Sequence, residues 1–237
     1  MPSEGETETG GERGSEGLRE AVAAASRRLA EEDLVLGTAG NVSACLGELV
    51  AVTPSGVKLG GLEPDEVAIV DLRGNQLSGP LAPTSELELH LGIHSERGDG
   101  AVVHTHAPLA TALSIALDEL PVVHYQMLLF GGSVRVAPYA TFGSPELAAG
   151  VHEALQGRTA ALMANHGALT VAADADAAVE LALLLEWACG LYLHAAQIGE
   201  PRTLDSSAQQ AVLEQAARLR YGSPQVADAS TEKEGSE

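Results

Sequence analysis

The sequence predicts an α/β protein: a single three-layer domain whose central sheet is covered by helices on both faces. Three observations carry that expectation. Strand-like and helix-like segments interleave along residues 18–222. Hydrophobic residues make up 45% of the 237 residues, enough for one sizeable core. No repeat or linker-like shift in composition divides that stretch, whereas 1–17 and 223–237 are dominated by Gly, Ser, Glu and Thr and are expected as disordered acidic tails.

The elements follow in order. LREAVAAASRRLAEED (18–33) repeats Leu18, Val22, Ala25 and Leu29 on one face, which predicts a first helix. From Leu36 to Gly56, apolar and small residues broken by Gly predict short strands joined by tight turns. Residues 67–79 predict a strand, an Arg-Gly-Asn turn and a second strand. Residues 83–97 open with Pro and hydroxyls ahead of a periodic stretch, a helix start. Residues 101–117 read as a strand running into a helix, and 133–140 as another strand. Over 144–157 a helix is expected, with Ser144 as N-cap, Pro145 at its first position and Gly157 as its stop. Residues 159–172 predict two strands around an Asn165-His166-Gly167 turn. Asp174 caps a long helix of about 176–197, and an amphipathic helix near 206–220 ends at Tyr221-Gly222.

Charge excludes several classes. The formal net charge is −20, of which −13 falls on residues 18–222, so neither nucleic acid nor an anionic membrane is an expected partner. Two cysteines, Cys45 and Cys189, make no disulfide framework and have no zinc-ligand spacing around them. The acidic first 17 residues lack the apolar run of a signal or transit peptide, which makes the cytoplasm the expected compartment. The bilayer-length stretch 177–196 contains Glu180, Glu186 and His194 between acidic flanks, and reads as a buried amphipathic helix.

Chemistry concentrates in the histidines. His104-Thr105-His106 ends an apolar strand, and residues i and i+2 of a strand face the same side, so both imidazoles can reach one Zn²⁺. A chance pair of separately hydrogen-bonded histidines is the plain alternative. His166, where a strand leaves its sheet, is a third candidate ligand or a turn histidine bonded to its own loop. Glu86, behind Thr84 and Ser85 at a helix start, is a possible fourth partner or simply an acid favoured by the helix dipole. A rival site lies on that helix itself, because Glu86, His90 and His94 are spaced i, i+4, i+8. His90 otherwise supports the site from behind, and His94 is a satisfied or exposed histidine. His152 and His194 read as surface residues and His124 as ambiguous, while Tyr125 is a core aromatic or a phenol acid. Gly40-Asn41, Ser55-Gly56 and Thr84-Ser85 are small-residue turns able to offer neutral donors to an anion, and Lys58 is the sole lysine of 18–222.

With these stretches in order, TAGN (38–41), TPSG (53–56), PTSELELH (83–90), VVHTHAP (102–108), PVVHY (121–125), APYATFGSPEL (137–147) and NHGAL (165–169), the chain resembles the class II aldolase/adducin family, and within it the L-fuculose-1-phosphate aldolases. The resemblance implies a mostly antiparallel sheet between helical layers and a homotetramer with shared active sites. It implies His104, His106 and His166 as zinc ligands, with Mn²⁺ or Co²⁺ as alternative metals. Glu86 becomes a fourth ligand and acid/base; Gly40, Asn41, Ser55, Gly56, Thr84 and Ser85 a phosphate cradle; Tyr125 a phenol from the neighbouring subunit; and Tyr221 a tail tyrosine at the substrate. The implied activity is cleavage of a ketose 1-phosphate to dihydroxyacetone phosphate and an aldehyde through a metal-stabilised enediolate. Alternatives are a pentulose-phosphate 4-epimerase or sugar-phosphate dehydratase on the same scaffold, and a non-catalytic adducin-like interaction domain.

Overall fold

A computed structural model describes residues 4–220, which fall into two compact units that divide between Thr203 and Leu204. The first holds helices α1 (Glu4–Glu31), α2 (Leu87–Arg97), α3 (Pro108–Ala116), α4 (Pro145–Ala154) and α5 (Ala175–Ile198). Its strands are β1 (Asn41–Leu46), β2 (Leu49–Val52), β3 (Ala68–Asp71), β4 (Gln76–Ser78), β5 (Gly100–Thr105), β6 (Glu119–Leu120), β7 (Val134–Ala137), β8 (Ala160–Met163) and β9 (Gly167–Ala172). The second unit holds α6 (Ser206–Leu219), whose N-cap Asp205 accepts a hydrogen bond from the Ala208 amide at 2.8 Å.

The strands form one mixed sheet in the order β4-β3-β2-β1-β5-β9-β8-β7-β6, antiparallel at every junction except β7–β8. Helices cover both faces. Against one face, α2 and α4 close a core of Leu89, Ile93, Leu147 and Val151 over Val102, Met163, Leu169 and Val171. Against the other, α1, α3 and α5 pack on β1, β5 and β9. This alternation sets the site. Val102 faces α2, so by the period-two rule His104 does too, as do its cross-strand neighbours Asn41 and Ser43 on β1.

The local cap signals correspond to bonds. Ser144 Oγ accepts from the Leu147 amide at 3.2 Å, and Asp174 Oδ1 from the Ala177 amide at 2.8 Å. Helix α5 is long and apolar enough to cross a membrane by length and composition. It nevertheless lays Ala178, Ala182, Leu185, Ala188 and Cys189 against the sheet and α3, and Glu186 receives the Leu109 and Ala110 amides at 2.8 Å each.

Three boundaries differ from the sequence reading. Helix α1 starts at Glu4 rather than near residue 18, so most of the expected acidic tail 1–17 is helical. The domain expected over 18–222 ends at Thr203, with α6 belonging to the second unit. The two-residue strand β6 and the 3-10 turn Tyr125–Phe130 carry too little periodicity to show in sequence. Tyr221 and the acidic stretch 223–237 lie outside the described residues.

Candidate metal centre

The three central strands and one helix end deliver the predicted ligands to a single point. His104 is the penultimate residue of β5, and His106 follows the strand on the same side. His166 sits in the three-residue turn from β8 to β9, where Asn165 takes the left-handed conformation (φ 56°) and the His166 amide donates to the Met163 carbonyl at 3.1 Å. Gly167 is required there: a Cβ on it would stand 2.2 Å from the Thr105 carbonyl oxygen. The turn can press this closely onto β5 only with glycine after the histidine.

The ligand atoms of His104, His106 and His166 all lie within 4.8 Å of one another, with ring centroids 4.8–5.0 Å apart. His104 is fully buried, and its Nδ1 donates to the Ala168 carbonyl at 2.9 Å. That bond fixes the tautomer and leaves the Nε2 lone pair facing His106 Nε2 at 3.0 Å. Glu86, at the N-terminus of α2, closes the group. Its Oε2 lies 3.3 Å from His104 Nε2 and its Oε1 3.6 Å from His166 Nε2.

Electrostatics favour a cation there. Burial pushes the Glu86 carboxyl up, but His104, the Asn41 amide and the other two imidazoles outweigh it and hold the group below the ordinary carboxylate range. Burial, reinforced by the neighbouring imidazoles, pushes His106 down to about 4 and lowers His166 as well, although Glu86 opposes both shifts. At neutral pH Glu86 is therefore a carboxylate, and His106 and His166 are neutral imidazoles. Glu86 Oε1 is buried without a hydrogen-bond partner, an acceptor that a cation would satisfy. Three imidazoles and a carboxylate suit Zn²⁺.

A cavity of about 300 Å³ opens beside this point. All six predicted cradle residues, Gly40, Asn41, Ser55, Gly56, Thr84 and Ser85, line it together with Glu86, His106 and His166, and among the described residues no Lys or Arg does. Two cradle turns are zipped to each other: the Ser55 amide donates to the Ala82 carbonyl and the Thr84 amide to Thr53, both at 3.0 Å. Tyr139, Ala140 and Phe142 form a further wall that the sequence reading left without a role. Gly143 seats that loop, because a Cβ there would stand 2.8 Å from the Ser85 carbonyl oxygen. A signal existed: with only two Phe, four Tyr and one Trp in the chain, an exposed Tyr139/Phe142 pair in one short loop is conspicuous.

Other predicted residues lie elsewhere. Tyr125 is not part of this cavity wall; it is 40% exposed and stacks near His124, whose ring meets Trp187 edge-on at 4.8 Å. The rival Glu86–His90–His94 metal site is not formed, because His90 is bonded to Asn41 and Ser43 and His94 to Ser43. His94 is thus buried and satisfied. His152 pairs with Glu96, and His194 is exposed.

The fold is a layered α/β scaffold that gathers three imidazoles and a carboxylate at one cavity, and comparison with known proteins identifies the family. Residues 20–193 match the class II aldolase and adducin N-terminal domain, and the chain belongs to that family. It is 38% identical over 199 residues (83% of this chain, 90% of the relative) to a 5-methylthioribulose-1-phosphate/5-deoxyribulose-1-phosphate aldolase of Rhodospirillum rubrum. It is 38% identical over 189 residues (78% and 89%) to a 5-deoxy-D-ribulose 1-phosphate aldolase of Bacillus thuringiensis serovar kurstaki. Among solved structures, an L-fuculose 1-phosphate aldolase superposes with a TM-score of 0.80 at 33% identity, covering 85% of this chain and 96% of that one.

Proposed function

We propose that the protein is a metal-dependent aldolase that cleaves a ketose 1-phosphate reversibly to dihydroxyacetone phosphate and an aldehyde. The observation that carries this is the convergence of His104, His106, His166 and Glu86 beside a cavity lined by neutral hydrogen-bond donors. A divalent ion held by these residues supplies Lewis-acid stabilisation of the charge left on the ketose oxygens when the C3–C4 bond breaks.

The chain's own groups do the rest. In the condensation direction the Glu86 carboxylate removes a proton from the hydroxymethyl carbon of dihydroxyacetone phosphate; by microscopic reversibility it returns that proton to C3 during cleavage. Its lowered pKa keeps the carboxylate ionised at neutral pH, the form that can accept that proton. Tyr125 of a neighbouring copy handles the proton of the C4 hydroxyl, a reading supported by its exposure and by its place outside the lining of its own chain's cavity. Sites shared in this way need at least two copies, and the family resemblance supports a homotetramer. Backbone and hydroxyl donors around Gly40, Ser55, Gly56, Thr84 and Ser85, at the start of α2, hold the phosphate without a lysine.

The compounds named for the relatives share a phosphorylated end and an apolar methyl or methylthio end. Here Tyr139, Ala140 and Phe142 add apolar surface to the cavity wall. The substrate class is therefore a ketose 1-phosphate ending in a deoxy or thioether carbon. The test is aldehyde and dihydroxyacetone phosphate release from 5-deoxyribulose, 5-methylthioribulose, fuculose and ribulose 1-phosphates, with and without chelator. Chelator-sensitive release, weakest for ribulose 1-phosphate, is expected. Epimer formed without aldehyde would end the aldolase reading.

A further inference from the structure

Behind Glu86 a line of polar side chains runs inward through the layer between β1 and α2. Asn41 Nδ2 donates to Glu86 Oε2 at 2.9 Å, and Asn41 Oδ1 is bonded to His90 Nε2. His90 Nδ1 lies 2.6 Å from Ser43 Oγ, and His94 Nε2 lies 2.7 Å from the same hydroxyl. Asn41, Ser43, His90 and His94 are each no more than 5% exposed. The register explains the meeting: Asn41 and Ser43 are two apart on β1, and His90 and His94 are one turn apart on the buried face of α2.

One polarity satisfies the four bonds of this line. A carboxylate only accepts, so Asn41 must turn its amide hydrogens to Glu86 and its oxygen to His90. An amide oxygen only accepts, so His90 carries its hydrogen on Nε2. Its bare Nδ1 then accepts from the Ser43 hydroxyl, whose oxygen accepts in turn from His94 Nε2. Every hydrogen points toward Glu86. A flipped Asn41 would set its oxygen against the carboxylate and break the line at two places.

We infer that His90, Ser43 and His94 are positioning residues that lock the Asn41 amide, and through it hold the Glu86 carboxylate toward the three metal-site histidines. Their place in turnover rests on the aldolase reading above, but the lock itself does not. None of the three lines the cavity. They act through Asn41, which bonds Glu86 and lines the cavity.

Two measurements separate these points. In metal-free, ¹⁵N-histidine-labelled protein, the His90 signal, assigned by its loss in His90→Gln, is expected as the Nε2–H tautomer. An Nδ1–H tautomer would overturn the lock, whether or not the protein proves to be an aldolase. In kinetics, His90→Phe, which cannot donate to Asn41, is expected to lower kcat about 10- to 100-fold with metal content unchanged. His90→Gln, whose amide can still donate, recovers most of that loss. Folded Phe and Gln variants equally impaired, or neither impaired, would refute the proposal. Should His90→Phe fail to fold, Ser43→Ala carries the test: a mixture of His90 tautomers and a smaller fall in kcat support the lock, and an unchanged tautomer and kcat refute it. Absence of cleavage by the unaltered protein would refute the aldolase reading alone, leaving the tautomer measurement to decide the lock.

Discussion

Replacing Gly167 with alanine tests how tightly the fold holds His166. The added Cβ would stand 2.2 Å from the Thr105 carbonyl oxygen and 3.4 Å from His104 Cε1. Relieving the first contact requires the strands to part by roughly 1 Å, where β5 and β9 are paired through Thr105 and Ala168. The obstacle is backbone, so no side-chain rotation removes it. Overpacking of this kind costs about 1–3 kcal/mol. For a chain of this size that corresponds to a fall in Tm of about 2–12 °C. His166, the preceding residue, moves with the turn, and metal affinity should fall about 10- to 100-fold. Thermal unfolding of the chelated protein reads the first effect, and zinc competition against a chromophoric chelator reads the second. Gly92→Ala is the control: nothing lies within 4 Å of its added Cβ on α2, so it should stabilise by about 0.5–1 kcal/mol and leave metal binding alone. Unchanged Tm and zinc affinity in Gly167→Ala would refute the argument that the Asn-His-Gly turn is clamped by steric contact.

Further predictions bear on chemistry and pH. Glu86→Gln keeps the shape of the side chain and an oxygen for Asn41, so Tm should change little while kcat falls about 10²- to 10⁴-fold; near-normal turnover would show that Glu86 is not the acid/base. Removing the Ser55 and Ser85 hydroxyls should raise KM for a ketose 1-phosphate about tenfold each with kcat within a few fold, and an effect on kcat alone would remove them from the cradle. Burial, partly opposed by the Gly98 backbone, holds His94 down at about 4, so in this range the unfolded chain binds more protons than the folded one. The stability contributed by its neutral form is complete above the unfolded value near 6.5 and is lost as pH falls toward 4, by about 3 kcal/mol in all. Urea midpoints measured across that range should fall less steeply for His94→Leu than for the unaltered protein; parallel slopes would contradict the assignment.

How much was legible in the sequence follows the reach of each signal. Ser144 and Asp174 announced their helices because a cap acts over three residues. His104 and His106 announced a shared face because strand alternation is local, and His166 was marked by its turn. The Tyr139–Phe142 pair stood out as two of the chain's few aromatics, but its place as a cavity wall was not legible, since it depends on Gly143 meeting Ser85 across 58 positions of chain. The burial of His90 and His94 was hidden likewise: their helix spacing is visible, but Ser43, which joins them, arrives from β1 through sheet pairing. The extension of α1 to Glu4 was obscured by a Gly- and Glu-rich composition that resembles a tail.

The central claim is that three imidazoles far apart in the sequence hold one divalent ion beside Glu86. Metal content per chain after equilibration with zinc and a competing chelator tests it most directly. One ion per chain is expected in the unaltered protein and almost none in His166→Ala, provided that the variant remains folded by circular dichroism. A folded His166→Ala that holds its ion as tightly as the unaltered protein would contradict the account.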